Sequence, residues 1–201
     1  MSMSYIAYLN LYSKPVSVII DEKIIVHKLL PNEFLSYKKI DEGYHFINVH
    51  QEDTSDLLYT KKVNIKPNSS FTFIIYDNQD VKCRLIAEGG LPLEREKCFI
   101  KIGNFATNFN NISLVCKDNV DEPIYSHKLE YETMSSYITS SPDKFQLIIQ
   151  DEANQEHIIN LPKFKPYRYY SFYIINTNNS KKYDIIKNID MVSYKKLDHI
   201  N

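Results

Sequence analysis

Cysteine is scarce in this chain and never set at metal-binding spacing: Cys83, Cys98 and Cys116 are the only three, and no C-x-x-C occurs. Structural zinc is therefore not expected, and the odd count leaves at least one thiol without an intrachain partner. Free thiols in strands are the preferred reading, with a Cys98–Cys116 bridge between neighbouring strands as the alternative. An excess of one charge is lacking too, because 24 Lys and Arg nearly cancel 25 Asp and Glu. A dedicated nucleic-acid binder gathers basic residues against phosphate, so no nucleic acid is expected as a partner. No apolar run approaches the roughly 18 residues of a membrane helix, so no transmembrane segment is predicted. Met1-Ser2-Met3-Ser4-Tyr5 runs straight into a strand pattern, without the basic segment and apolar stretch of a classical signal peptide. The expectation is synthesis in the cytoplasm without classical export.

Catalytic spacings are equally absent. No Gly-x-Ser-x-Gly elbow occurs, and no cysteine sits in a His-bearing context that would supply an activated nucleophile. Gly89-Gly90 is not followed by Gly-Lys-Ser/Thr and opens no helix, so it reads as a linker and not as a phosphate cradle. The six histidines show neither H-x-H nor H-E-x-x-H, and His45 and His50 lie at odd separation on one strand. Side chains so spaced point to opposite faces and cannot share a metal. The turns Asp41-Glu42, Gln51-Glu52-Asp53 and Asp118-Asn119-Val120-Asp121-Glu122 could hold calcium, but none has EF-hand spacing. No cofactor is predicted, and the chain is not expected to be an enzyme.

What the sequence does contain is strand-forming material: 16 Tyr and 10 Phe against 4 Gly, within a 43% hydrophobic chain. Aromatic and β-branched side chains fit a pleated sheet. The chain also contains its own copy. Ile65-Lys66-Pro67-Asn68-Ser69-Ser70-Phe71-Thr72-Phe73-Ile74-Ile75 is matched by Phe164-Lys165-Pro166-Tyr167-Arg168-Tyr169-Tyr170-Ser171-Phe172-Tyr173-Ile174, at an offset of 99. Tyr37 parallels Tyr137, and Phe46 parallels Phe145. A Gly pair, a Pro and a charge cluster at 88–97 mark a seam. Two modules follow, 1–92 and 93–201.

In the first module, alternation and turn chemistry predict strands at 5–11, 16–20, 23–29, 34–39, 43–51, 57–65, 70–77 and 81–87, with Asp21-Glu22 as a tight hairpin turn. No segment keeps helical periodicity over three turns. The expected core positions are Val16, Val18 and Ile20; Tyr44, Phe46, Ile47 and Val49 across a local irregularity; and Phe71, Phe73 and Ile75. In the second module they are Ile112, Leu114, Cys116, Phe145, Leu147, Tyr170, Phe172 and Ile174. The fold class is all-β: two tandem immunoglobulin-like antiparallel β-sandwich domains.

The run from Val18 to Val26, then Phe34-Leu35-Ser36-Tyr37, then Ile40-Asp41-Glu42-Gly43-Tyr44-His45-Phe46-Ile47-Asn48-Val49 resembles the bacterial domain-of-unknown-function family 4397. Leu57-Leu58-Tyr59 through Ile75 continues the likeness, more faintly repeated in the second module. The resemblance implies tandem sandwich modules of bacterial surfaces and envelopes, with no catalytic motif. In a Gram-positive spore former, which the Ile-, Lys-, Asn- and Tyr-rich composition suits, it implies a structural or assembly protein of the spore coat, a spore appendage or the cell envelope. Its partners would be copies of itself or other coat and envelope proteins, joined through sheet edges. The alternative is a surface module that binds glycan or protein through loops and exposed tyrosines. The tyrosine-rich strand around Tyr170 offers Tyr167, Tyr169 and Tyr173 as that interaction surface.

Overall fold

The computed structural model describes residues 3–78, 80–90, 94, 96–107, 109, 111–117, 123–141, 146–150, 156–159, 164–176 and 183–197. Among them the chain is all-β apart from one six-residue helix, and it divides into two compact units, Met1–Gly89 and Gly90–Asn201.

The first unit contains β1 (Ser4–Asn10), β2 (Val16–Ile20), β3 (Lys23–Leu29), β4 (Glu33–Ile40), β5 (Gly43–Gln51), β6 (Leu57–Ile65), β7 (Ser70–Asn78) and β8 (Asp80–Ala87). β2, β3, β5 and β6 start and stop where alternation and turn residues predict. Two four-stranded sheets result, ordered β4-β1-β7-β8 and β3-β2-β5-β6, antiparallel throughout except where β1 runs parallel to β7. One apolar cluster joins them: Ile6, Tyr8, Phe73 and Ile75 from the first sheet meet Val16, Val18, Ile47, Val49 and Ile65 from the second.

The second unit contains β9 (Cys98–Phe105), β10 (Asn111–Lys117), β11 (Pro123–Glu130), β12 (Thr133–Met134), β13 (Ile138–Ser140), β14 (Gln146–Gln150), β15 (Glu156–Ile159), β16 (Arg168–Asn176), β17 (Tyr183–Ile189) and α1 (Val192–Leu197). Its sheets run β12-β9-β16-β17, with β13 also on β9, and β11-β10-β14-β15. The strand order is that of the first unit, with β12 and β13 together in the place of β4. In each unit the first strand again pairs in parallel with the penultimate one. The connectivity departs from the ABED/CFG order of an immunoglobulin domain, because β2 and β3 form a hairpin within one sheet where strands B and C lie in different sheets.

Side chains repeat along with strands. The Asn10 amide donates to the carbonyls of Lys14 and Leu29 while its oxygen accepts the Tyr12 N–H. The Asn104 amide donates to Phe109 and Leu129 while its oxygen accepts from Ala106. Both asparagines are fully buried at the ends of equivalent strands and satisfy loop groups that would otherwise be orphaned. A second pair is Tyr37 and Thr72 donating to Glu88, matched by Tyr137 and Ser171 donating to Asp190.

Two core assignments are corrected. The register of β5 against β2 and β6 runs without interruption from Gly43 to Val49. Strict alternation therefore sends His45, Ile47 and Val49 inward and leaves Tyr44 and Phe46 exposed. The irregularity falls three residues later than expected, between Val49 and His50. Cys98 is a free, buried thiol in β9, and Cys116 lies in β10 of the other sheet, so the bridge is not formed and the two strands are not sheet neighbours. The Phe145 position and the turn at 118–122 lie outside the described residues.

Candidate functional site

The tyrosines picked from the sequence do not make a surface. Tyr169 and Tyr173 are buried to within 1% exposure, Tyr169 stacked on Phe99 at 4.6 Å with Tyr137 edge-on at 5.2 Å, and Tyr173 tilted against Phe105 at 6.3 Å. Tyr167 is half-buried in the turn before β16, at φ 56°, its N–H bonded to the Lys97 carbonyl. Alternation fails as a guide because β9 and β16 are buried on both faces. Such strands carry near-continuous apolar runs, not a two-residue period.

The exposed aromatic surface is on the first unit, on the outer face of the β3-β2-β5-β6 sheet. Tyr44 (69% exposed) and Phe46 (53%) project from alternate positions of β5, followed on the same face by Asn48 and His50. Directly across on β6 stand Asn64, Lys62 and Thr60. The Lys62 ammonium lies 4.6 Å from the Tyr44 ring centroid and 5.7 Å from that of Phe46. Ile24 on β3 and Leu57 on β6 extend the apolar area.

At one end of this face the β2–β3 hairpin turn closes a recess lined by Asp21, Glu22, Phe46 and Asn48. Asp21 and Glu22 both have positive φ, 46° and 68°, as a two-residue type I′ hairpin requires. The turn lifts the Asp21 carboxylate over β5, where it accepts the Phe46 N–H at 2.8 Å and the His45 Nδ1 at 2.5 Å. The Phe46 N–H foremost, and the His45 hydrogen bond after it, hold the Asp21 carboxyl below the usual range. The other His45 ring nitrogen reaches the Asp41 carbonyl at 2.9 Å, so the imidazole is held at both ends. On the far side the Thr60 hydroxyl donates to Asn48 Oδ1 at 2.6 Å and fixes that amide. The polar groups around the Phe46 ring are thus pre-positioned by the sheet.

His45 and His50 lie on opposite faces of β5, and the His50 ring bonds the Ser55 carbonyl at 3.1 Å. Among the described residues no three His, Cys, Asp or Glu side chains stand close enough to hold a metal ion. Among the described residues no helix is long and apolar enough to cross a membrane. Hydrophobicity alone places Phe46 in the core and hides the recess; the signal for it in the sequence is the unbroken two-residue period from Tyr44 to His50.

No family model and no curated protein matches the chain. Among solved structures it is similar to a family 26 carbohydrate-binding module from Eubacterium rectale, solved with maltoheptaose, at 9% identity over 92% of this chain and 97% of that one, TM-score 0.33. It is similar to a cell adhesion protein from Bacteroides ovatus at 10% identity, over 93% and 96%, TM-score 0.30. It is also similar to the tip fimbrial protein Mfa3 from Porphyromonas gingivalis at 9% identity, over 94% and 99%, TM-score 0.31. Likeness at this level transfers neither a ligand nor a role.

Proposed function

We propose that this protein is a non-enzymatic surface binding module, two tandem β-sandwiches of immunoglobulin-like layering, and that it holds a glycan or protein partner on the outer face of β5. The observation that carries this reading is the exposure of Tyr44 and Phe46 side by side on a rigid sheet, flanked by fixed polar groups. Large exposed aromatic side chains grouped in one patch leave apolar area in water, and a partner recovers that free energy. Kinship with domain-of-unknown-function family 4397 is part of the same proposal and rests on the residue pattern given above.

Assembly through sheet edges has less behind it. The β3 edge meets β2 through two register irregularities, β4 carries Lys38 and Lys39 beside another, and β6 carries Lys61 and Lys62. Bulges and lysines are the devices by which edge strands avoid adding a neighbour. Deposition of the module on a spore or envelope surface requires only the binding face.

The test applies labelled full-length chain to a glycan array and to bacterial envelope preparations with and without protease treatment. Binding is expected, and Tyr44→Ala/Phe46→Ala is expected to weaken it about tenfold or more, the loss for two buried aromatic contacts. Binding that the double variant retains in full, or none on any surface, overturns the reading.

A further inference from the structure

The recess at the β2–β3 turn has a chemistry narrower than the face around it. Its lining combines one aromatic ring, Phe46, with two carboxylates, Asp21 and Glu22, and one amide, Asn48. Its lining is acidic: the Lys62 ammonium stands 5.7 Å from the Phe46 ring centroid and the Lys23 charge acts on Asp21, but a phosphate, sulfate or uronate seated in the recess would face the two carboxylates directly. Asp21 already receives two hydrogen bonds, yet each carboxylate oxygen has a further lone pair, and the bonds from Phe46 and His45 hold both oxygens in place. Asn48, with its oxygen taken by Thr60, offers its NH2 as donor. A ring face beside rigid acceptors and one donor suits a ligand with an apolar C–H face and several hydroxyl groups at its rim. Few biological groups other than a sugar ring have that pattern.

We infer that the Asp21–Glu22–Phe46–Asn48 recess binds one residue of a neutral polysaccharide, which stacks on the Phe46 ring, donates hydroxyl hydrogens to Asp21 and Glu22 and accepts from Asn48, while Tyr44 carries the next residue along the chain. This rests on the binding-face reading and narrows it to one ligand class. Fixed polar groups give it selectivity, because a site built to bond hydroxyls leaves buried polar atoms unpaired when a hydroxyl is missing. Turn chemistry supplies a clean variant: Asn tolerates the positive φ of residue 21 at least as well as Asp, so Asp21→Asn keeps the hairpin and removes one charged acceptor.

The experiment is affinity electrophoresis of the full chain in native gels containing a neutral glucan, xylan or mannan, or the acidic polymers polygalacturonate and hyaluronan. At least one neutral polymer is expected to retard the wild type. Asp21→Asn and Phe46→Ala are each expected to weaken the apparent affinity about tenfold, the equivalent of one charge-assisted hydrogen bond or one stacking contact. Asn48→Ala should weaken it less, and urea midpoints within error of the wild type show that the variants are folded. Retardation by acidic polymers alone overturns the inference. Retardation that Tyr44→Ala/Phe46→Ala abolishes and Asp21→Asn leaves intact overturns the recess while the open face stands. No retardation by any polymer, together with array or envelope binding that depends on Tyr44 and Phe46, overturns the sugar and leaves a protein partner. Absence of both kinds of binding overturns the inference together with the function on which it rests.

Discussion

At the scale of single residues, the aromatic side chains divide into two populations that composition cannot tell apart. Phe46 leaves half its surface in water, whereas Phe172 is fully enclosed and touches Phe164 edge-on at 5.8 Å. Phe172→Ala should therefore destabilise the fold by about 3–5 kcal/mol, and Phe46→Ala should stay within about 0.5 kcal/mol. Urea unfolding of the two variants checks this directly. A second division concerns charge. Asp190 is fully buried, accepts hydrogen bonds from Tyr137, Ser171 and Asn188, and burial pushes its carboxyl up to about 6 despite those donors and the nearby Lys101. An unfolded aspartate titrates near 3.9, so from about pH 4 to 6 the folded chain binds more protons than the unfolded one. Stability from this group is then present below that window and lost as pH rises through it. Asp190→Asn should lack this falling component, so between pH 4.5 and 7 the wild-type urea midpoint should fall relative to that of the variant, and parallel profiles would refute the assignment.

At the scale of elements, turns set what the strands display. The β2–β3 hairpin forces Glu22 to φ 68°, a region that costs an L-residue with a Cβ about 1–2 kcal/mol. Glu22→Gly should relieve that strain, less the greater chain entropy glycine has when unfolded, for a gain of up to about 1 kcal/mol in urea unfolding. On β9 the opposite holds. A Cβ at Gly103 would collide with the Met134 side chain and come within 2.9 Å of the Phe105 ring, where β12 pairs with β9. Gly103→Ala should cost about 1–3 kcal/mol, the usual penalty of overpacking, and loosen β12 first. Hydrogen exchange at Thr133 and Met134 would show that order of events. These elements also show what was legible in the sequence. The eight strands of the first unit could be read because Asp, Asn, Gly and Pro punctuate them and because β2 alternates cleanly. The exposed aromatic face could not, because Tyr44 and Phe46 are as apolar as core residues, and hydrophobicity points them inward where the two-residue period points them out. Tyr169 and Tyr173 show the converse: their strand is buried on both sides, where a two-residue period carries no information. The paired hydroxyl-to-carboxylate bonds at Glu88 and Asp190 join residues more than fifty apart in sequence at their longest reach, and local pattern has no access to them.

At the scale of the whole molecule, the same strand order is built twice from sequence that shares little beyond apolar spacing and a few buried polar anchors. Asn10 and Asn104 show which identities the architecture holds on to: those that satisfy buried loop groups, since an unsatisfied one costs about 1–3 kcal/mol. Surfaces are under no such constraint, so the exposed aromatic face on β5 of the first unit has no obligation to recur in the second. Edges remain constrained in both. Three of the four sheet edges of the second unit are β11, with a register irregularity against β10, the four-residue β15, and a β4-equivalent broken into two- and three-residue pieces; the fourth, β17, is longer and carries Asp184 and Lys187. Short, bulged or charged edges resist strand addition by a second copy. With a formal net charge of −1, long-range repulsion does little to keep copies apart, so the edges themselves must do it. The chain should therefore sediment as a monomer at concentrations of hundreds of micromolar and form no filaments or layers on negative-stain grids. Lys61→Thr/Lys62→Thr, which removes the guard from one edge, should give a concentration-dependent dimer under the same conditions. Ordered polymers of the unmodified chain would instead restore the edge-assembly reading and make the aromatic face secondary.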